Sequence, residues 1–388
     1  MTGRALQYLQ TLGPAGGFWA LLLGYCLGHA LLRLGLSQGV SFDEAELLLD
    51  SQRLQWGYGS QPPLYIWLQA LVFAPGPSLV AMVAVKYGLL AVTLSASYLT
   101  ARHWLGEANA RLATVGLLLL PQVGFESHRD LSHTVAATAM GAASLYALAR
   151  LVAEPRPRHF ALLGATLGLG ALAKYSFGLF AVALVVAAWS LPPWRAALWR
   201  PQALVVPAVA GAIALPHYLW LLDHWQRATA PTVAKLQPAA PGGWAWLVGV
   251  GHLLFSLCQF VLPLVLVFAL TRGLAPRPTP CPEARALLGR LGGVILVGLV
   301  GLVLVANVTY FKDSWLQPLF FWLPLYLLAF FPSPDPWDRR SQRFVAAAVL
   351  VISLYGAALV ASAWDLDGDD KPHRFNKPAA ALAAALAA

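Results

Sequence analysis

The chain has 388 residues, of which 59% are hydrophobic and only 11% charged, and its mean hydropathy is +0.64. These values exclude an ordinary soluble domain and make lipid the solvent for most of the chain. The formal net charge of +9 does not point to nucleic acid, because the arginines stand singly between apolar runs and form no basic stripe.

Crossing a bilayer core takes about 20 apolar residues per helix. About eleven candidate runs follow in chain order, near 16–36, 79–101, 112–124, 131–152, 160–174, 176–191, 203–222, 245–270, 291–308, 316–331 and 343–363. The first is long enough to span and has no small-residue cleavage site, so it reads as a retained helix. Runs five and six are separated only by Lys174 and Tyr175, which fits a re-entrant pair or two tilted helices with a tight turn. Of the three cysteines, Cys26 and Cys258 lie in apolar runs and Cys281 in a polar loop, with neither disulfide nor metal-ligand spacing.

Alternate loops are basic: Arg102 and Arg111; Arg150, Arg156 and Arg158; Arg195 and Arg200; Arg272, Arg277, Arg285 and Arg290; and Arg339, Arg340 and Arg343. Short cytoplasmic loops retain Lys and Arg, so together with Arg4 this set places the N-terminus inside. The acidic set, beginning with Asp43, Glu44, Glu46 and Asp50 and ending with Asp365, Asp367, Asp369 and Asp370, then faces out. The expectation is a polytopic body over 1–364 and a short extracytoplasmic segment over 365–388. That last segment, rich in alanine, resembles the start of a further helix cut short.

The outside loop 37–78 is the longest feature of that face. Its segment 41–56, SFDEAELLLDSQRLQW, predicts an amphipathic helix on the membrane surface, with Asp43, Glu46, Asp50 and Arg53 at helical spacing. Ser41 followed by Glu44 is a capping box, and acids in a first turn suit the helix dipole. Asp43 and Glu44 can equally accept a proton or hold a cation, and a cap that fixes a carboxylate is compatible with either role. Tyr58 then opens the segment YGSQPPLYIW, in which Pro62 and Pro63 start a helix rigidly and Gln61 can donate hydrogen bonds to a ligand oxygen.

Further polar clusters sit at the same mouth. His128, Arg129, Asp130 and His133 crowd a very short loop, where Asp130 and His133, one helical turn apart, can share a ligand or metal. Two histidines and an acid form a weak metal pattern, for which Glu44, Asp130 and His133 are the candidates and a divalent ion the only cofactor considered. Lys174 lies in the apolar stretch GLGALAKYSFGLF, where an ammonium is costly unless it has a function or snorkels to the interface. Lys312 repeats that arrangement beside Asp313, with which it can form a simple ion pair.

The order of these motifs resembles the polytopic glycosyltransferases of the GT-C fold, particularly the aminoarabinose transferase and protein O-mannosyltransferase group and its rhizobial galacturonosyltransferase relatives. The matching positions are the acidic pair Asp43-Glu44, the segment Gln61 to Trp67, Asp130, the Leu-Ala-Lys of Leu172 to Lys174, and the stretch Phe311 to Pro318. The resemblance implies an all-α integral membrane protein of the bacterial inner membrane. Its expected activity is that of an inverting hexosyl- or pentosyltransferase, moving a sugar from a polyprenyl-phosphate carrier to an envelope lipid, glycan or protein outside the membrane. Asp43 is then the base, Glu44 its orienter, and Lys174, Lys312 and Gln61 the phosphate contacts. Asp130, His128, Arg129, His133, Tyr58 and Tyr175 are the expected acceptor-side contacts. Aminoarabinose transferases have a lysine where this chain has Gln61, which points to another sugar, and they carry a large outer C-terminal domain that has no counterpart here. A transporter or lipid-linked-sugar flippase is the alternative, and it requires inverted repeats and a midplane site that the sequence does not display. A polysaccharide ligase or polymerase is the third reading, and it calls for arginines in a large outer loop, whereas 223–244 holds only Arg227 and Lys235.

Overall fold

The computed structural model describes residues 13–37, 39–72, 78–130, 132–236, 243–272, 281–331 and 338–363. The expected segment 365–388, Arg4 and Arg277 lie outside them. Among the described residues the chain is helical without strands, in the order α1 (Gly13–Leu36), α2 (Phe42–Asp50), α3 (Leu64–Val72), α4 (Leu79–Leu117), α5 (His133–Ala153), α6 (Pro157–Ala171), α7 (Phe177–Trp189), α8 (Pro192–Leu198), α9 (Val205–Asp223), α10 (Trp225–Leu236), α11 (Ala245–Arg272), α12 (Pro282–Ala306) and α13 (Arg339–Ala363). Seven of the described helices are long and apolar enough to cross a membrane, or eight if α7 and α8, bent by 108°, are one span. This is an integral membrane protein. The other runs expected to span fold as shorter pieces, among them α6, the arm after residue 106 and the short helices within 317–328.

The 39 residues of α4 are two arms of a hairpin. Gly106 has φ 79° and ψ 172°, a conformation open essentially to glycine alone, and it turns the chain back on itself. The return is visible at the far end, where Lys86 Nζ donates to the Asp130 carbonyl at 2.5 Å. A straight α4 would carry the chain about 46 Å away from Lys86 by Leu117. Polar groups close the turn, since Glu107 pairs with Arg102 at 3.2 Å and Arg111 at 2.9 Å and accepts from Tyr98 Oη at 2.6 Å.

The body is assembled by α4 against α5, α5 against α6, and α6 against α9. At the last contact Gly164 and Gly168 let the backbones touch: a Cβ added there would stand 2.7 Å from the Val206 carbonyl oxygen and 2.9 Å from that of Ala210. In lipid, where no water drives helices together, such small-residue contacts supply the packing. The tight turn expected between runs five and six is present, closed by Ala173 N donating to the Gly170 carbonyl at 3.0 Å and Phe177 N donating to that of Lys174 at 3.0 Å.

Two local expectations are corrected. The surface helix stops at Asp50, not near residue 56, because Ser51 caps it and the chain leaves as turns. Asp130 and His133 are not one helical turn apart: Asp130 has φ −143° and ψ −96°, outside any helix, and α5 begins at His133.

Candidate active site

The capping box at Ser41 is formed as the sequence indicates. Glu44 N donates to Ser41 Oγ at 3.2 Å, and Ser41 N donates to Glu44 Oε2 at 2.9 Å. This fixes the first turn of α2, where Asp43 and Glu44, about 100° apart around the axis, face different ways. Asp43 lines a cavity of about 410 Å³, shared with Glu46 and Asp50 one and two turns further along the same face. Glu44 is buried behind it, paired with Arg33 at 3.2 Å and Lys86 at 3.6 Å.

The cations of the cavity come from elsewhere in the chain. Lys174, on the turn between α6 and α7, donates to Thr134 Oγ1 at 2.7 Å. Lys312 sits on the loop after α12, and its neighbour Asp313 turns to accept from Gln122 Nε2 at 2.7 Å. Lys235, at the end of α10, completes the set, since the carbonyl of Leu236 accepts from Thr309 N and Tyr310 N and ties that helix to the Lys312 loop. Gln61, Tyr58 and His133 also line the cavity. The carboxyls of Glu46 and Asp50 are held above the usual carboxylate range. Burial is the main cause for both; Asp50 and Asp43 add repulsion at Glu46, while Lys235 opposes the shift at Glu46 and Arg227 opposes it at Asp50.

Other expected site residues point away from the cavity. His128 is a core residue, bonded to Tyr25 Oη at 2.7 Å and Tyr87 Oη at 3.2 Å and stacked on His29 at 4.0 Å. Arg129 pairs with Glu126 at 3.1 Å, and Tyr175 Oη meets His217 Nε2 at 3.4 Å. Asp130 does not line the cavity; its Oδ1 accepts from Ser41 Oγ at 3.3 Å. The proposed metal donors therefore do not fit an ion: Glu44 is taken by two cations and Asp130 lies on a different turn from His133. No group of three or more His, Cys, Asp or Glu side chains converges among the described residues.

The sequence reading missed Arg33 and Lys86. Lys86 is 2% exposed within an otherwise apolar run, so the argument applied to Lys174 would have found it. Glu46 and Asp50 were legible on the face of Asp43 from their helical spacing, whereas Lys235 was visible as a charge but not as a neighbour of Asp43.

Residues 60–220 match the family model described as dolichyl-phosphate-mannose-protein mannosyltransferase. The lipopolysaccharide core galacturonosyltransferase RgtB of Rhizobium johnstonii is 34% identical over 371 residues, covering 94% of this chain and 75% of the relative. The chain belongs to this family of GT-C glycosyltransferases. RgtA of the same organism, also named a lipopolysaccharide core galacturonosyltransferase, is 33% identical over 85% of this chain and 66% of its own length. The fold of this transferase is similar to ArnT from Cupriavidus metallidurans bound to undecaprenyl phosphate, with a TM-score of 0.61 and 17% identity over 90% of this chain and 66% of that one. ArnT in the apo state gives a TM-score of 0.55 over 90% and 65% of the two chains. The transporter reading is not favoured by any of these likenesses.

Proposed function

We propose that the cavity is where a sugar passes, with inversion, from a polyprenyl-phosphate carrier to a hydroxyl of an envelope acceptor. The observation that carries this reading is one cavity lined both by Asp43, on a helix fixed by its cap, and by the ammonium groups of Lys174 and Lys312. The acceptor oxygen attacks the anomeric carbon as its proton passes to Asp43, and the bond from that carbon to the phosphate oxygen breaks. The departing phosphate gains negative charge, which the two ammonium groups lining the cavity meet. Gln61 stands in the cavity where it can donate to the same phosphate, and Tyr58 and His133 flank the acceptor side. The names of RgtA and RgtB put forward galacturonic acid as the sugar and a lipopolysaccharide core as the acceptor; the ArnT complex supports a carrier of the undecaprenyl type.

The same reading sets the orientation. The arginine-lined turns at 102–111 and 150–158 lie at the far ends of helices that reach the cavity, about 30 Å along α5 from His133 to Ala153. With that basic end in the cytoplasm, the cavity opens on the periplasmic side of the inner membrane. The test is transfer by the purified protein in proteoliposomes supplied with a synthetic polyprenyl-phosphate sugar. Asp43→Asn is expected to abolish transfer while the protein stays folded, and normal turnover by that variant removes Asp43 from the base role.

A further inference from the structure

The Asp43 helix has little apolar purchase on the body. Of its nine residues only Glu44 and Leu47 are buried, and a helix of this length is not stable by itself. What ties it down is charge. Glu44 Oε2 takes the Ser41 amide at 2.9 Å and Arg33 Nη2 at 3.2 Å, while Oε1 stands 3.6 Å from Lys86 Nζ. Arg33 also donates to the carbonyls of Ser37 at 2.8 Å and Gly39 at 2.9 Å, fixing the chain that leads into α2. Lys86 donates to the Asp130 carbonyl at 2.5 Å, and Asp130 Oδ1 accepts from Ser41 Oγ at 3.3 Å, which closes the circuit.

We infer that Arg33, Glu44, Lys86 and Asp130 form a quartet of two cations and two anions, the first three buried and Asp130 half-buried at its edge, that sets the position of the Asp43 carboxylate, and that Lys86 and Arg33 are positioning residues of the transferase. The inference rests on Asp43 being the base. Three elements contribute a charge to α2: the end of α1, the first arm of α4, and the turn before α5. Burying three charges is a poor route to stability, since well-packed apolar groups at such places often stabilise more. A fixed geometry is what such a network supplies, because each hydrogen bond is directional and each missing partner leaves a costly buried charge. Glu44 and Asp43 are consecutive on one rigid turn, so displacement of the first moves the second.

The experiment uses the reconstituted full chain and measures kcat, donor KM and thermal stability for Lys86→Met, Lys86→Arg and Asp43→Asn, per folded molecule. Lys86→Met is expected to lower kcat by about 100-fold with donor KM held within about threefold, as a base displaced by an ångström does. Lys86→Arg, which keeps the charge, recovers part of the loss. An unchanged kcat in Lys86→Met, with only a lower melting temperature, overturns the inference and leaves the base assignment standing. Normal transfer by Asp43→Asn overturns both. Where Lys86→Met does not fold, Arg33→Lys keeps the charge and removes the forked geometry; a drop in kcat at unchanged KM is expected there, and its absence counts against the quartet.

Discussion

Lys174→Met is the sharpest test of how the leaving group is handled. Methionine keeps most of the stem that packs beneath the ammonium and removes only the charge and its donors. One of the three N–H bonds of Lys174 is committed to Thr134 Oγ1 at 2.7 Å, so two are free for a phosphate in the cavity. Losing one preorganised donor aimed at developing charge costs about 10²–10³-fold in kcat, or about 2.7–4 kcal/mol. Lys312 remains in the same cavity, which puts the expectation near the lower end, about 100-fold. The assay is the appearance of sugar on the acceptor lipid by mass spectrometry, with proteoliposomes at saturating donor and the folded fraction measured in parallel. Thr134→Val, which frees the ammonium without removing it, is expected to lose less. Turnover by Lys174→Met within about threefold of the parent refutes the phosphate role, because a lysine that is only structural is replaced by an apolar side chain at little cost.

Two further variants probe the frame around the site. Glu46 has its carboxyl raised by burial and by Asp50 and Asp43, so the fold favours its protonated form. The stability this contributes is fully present below the unfolded carboxyl pKa of about 4.3 and is lost as pH rises through the folded value. Glu46→Gln is therefore expected to melt higher than the parent at about pH 7.5 and equally at about pH 4, and a gap that widens on acidification contradicts the assignment. Gly106→Ala forces a side chain into φ 79°, ψ 172°, at about 1–3 kcal/mol of strain at the hairpin. A lower melting temperature with unchanged kcat per folded molecule is the expected result. An unshifted melting curve would mean that the hairpin bends elsewhere.

Composition alone decided that lipid surrounds most of this chain, because so much apolar surface has no stable place in water. Ser41 and Glu44 announced their cap for a related reason: a capping box is a contact between residues three apart, and sequence carries local geometry well. The lysine in GLGALAKYSFGLF was legible as an unusual charge, since the cost of desolvating an ammonium does not depend on knowing its partner. The partner does depend on the fold. Nothing in the spacing brings Lys174 to Thr134, 40 positions away, or Lys86 to the Asp130 carbonyl, 44 away. His128 shows the same limit, since its place in a polar loop suggested the cavity while its ring is spent on Tyr25 and Tyr87. Gly106 is the extreme case: one backbone angle folds a continuous helical pattern into two arms and thereby brings Asp130 beside Lys86. Local pattern set which residues are charged and which turns are capped; the crossing of distant helices decided which carboxylate faces the cavity and which faces an arginine.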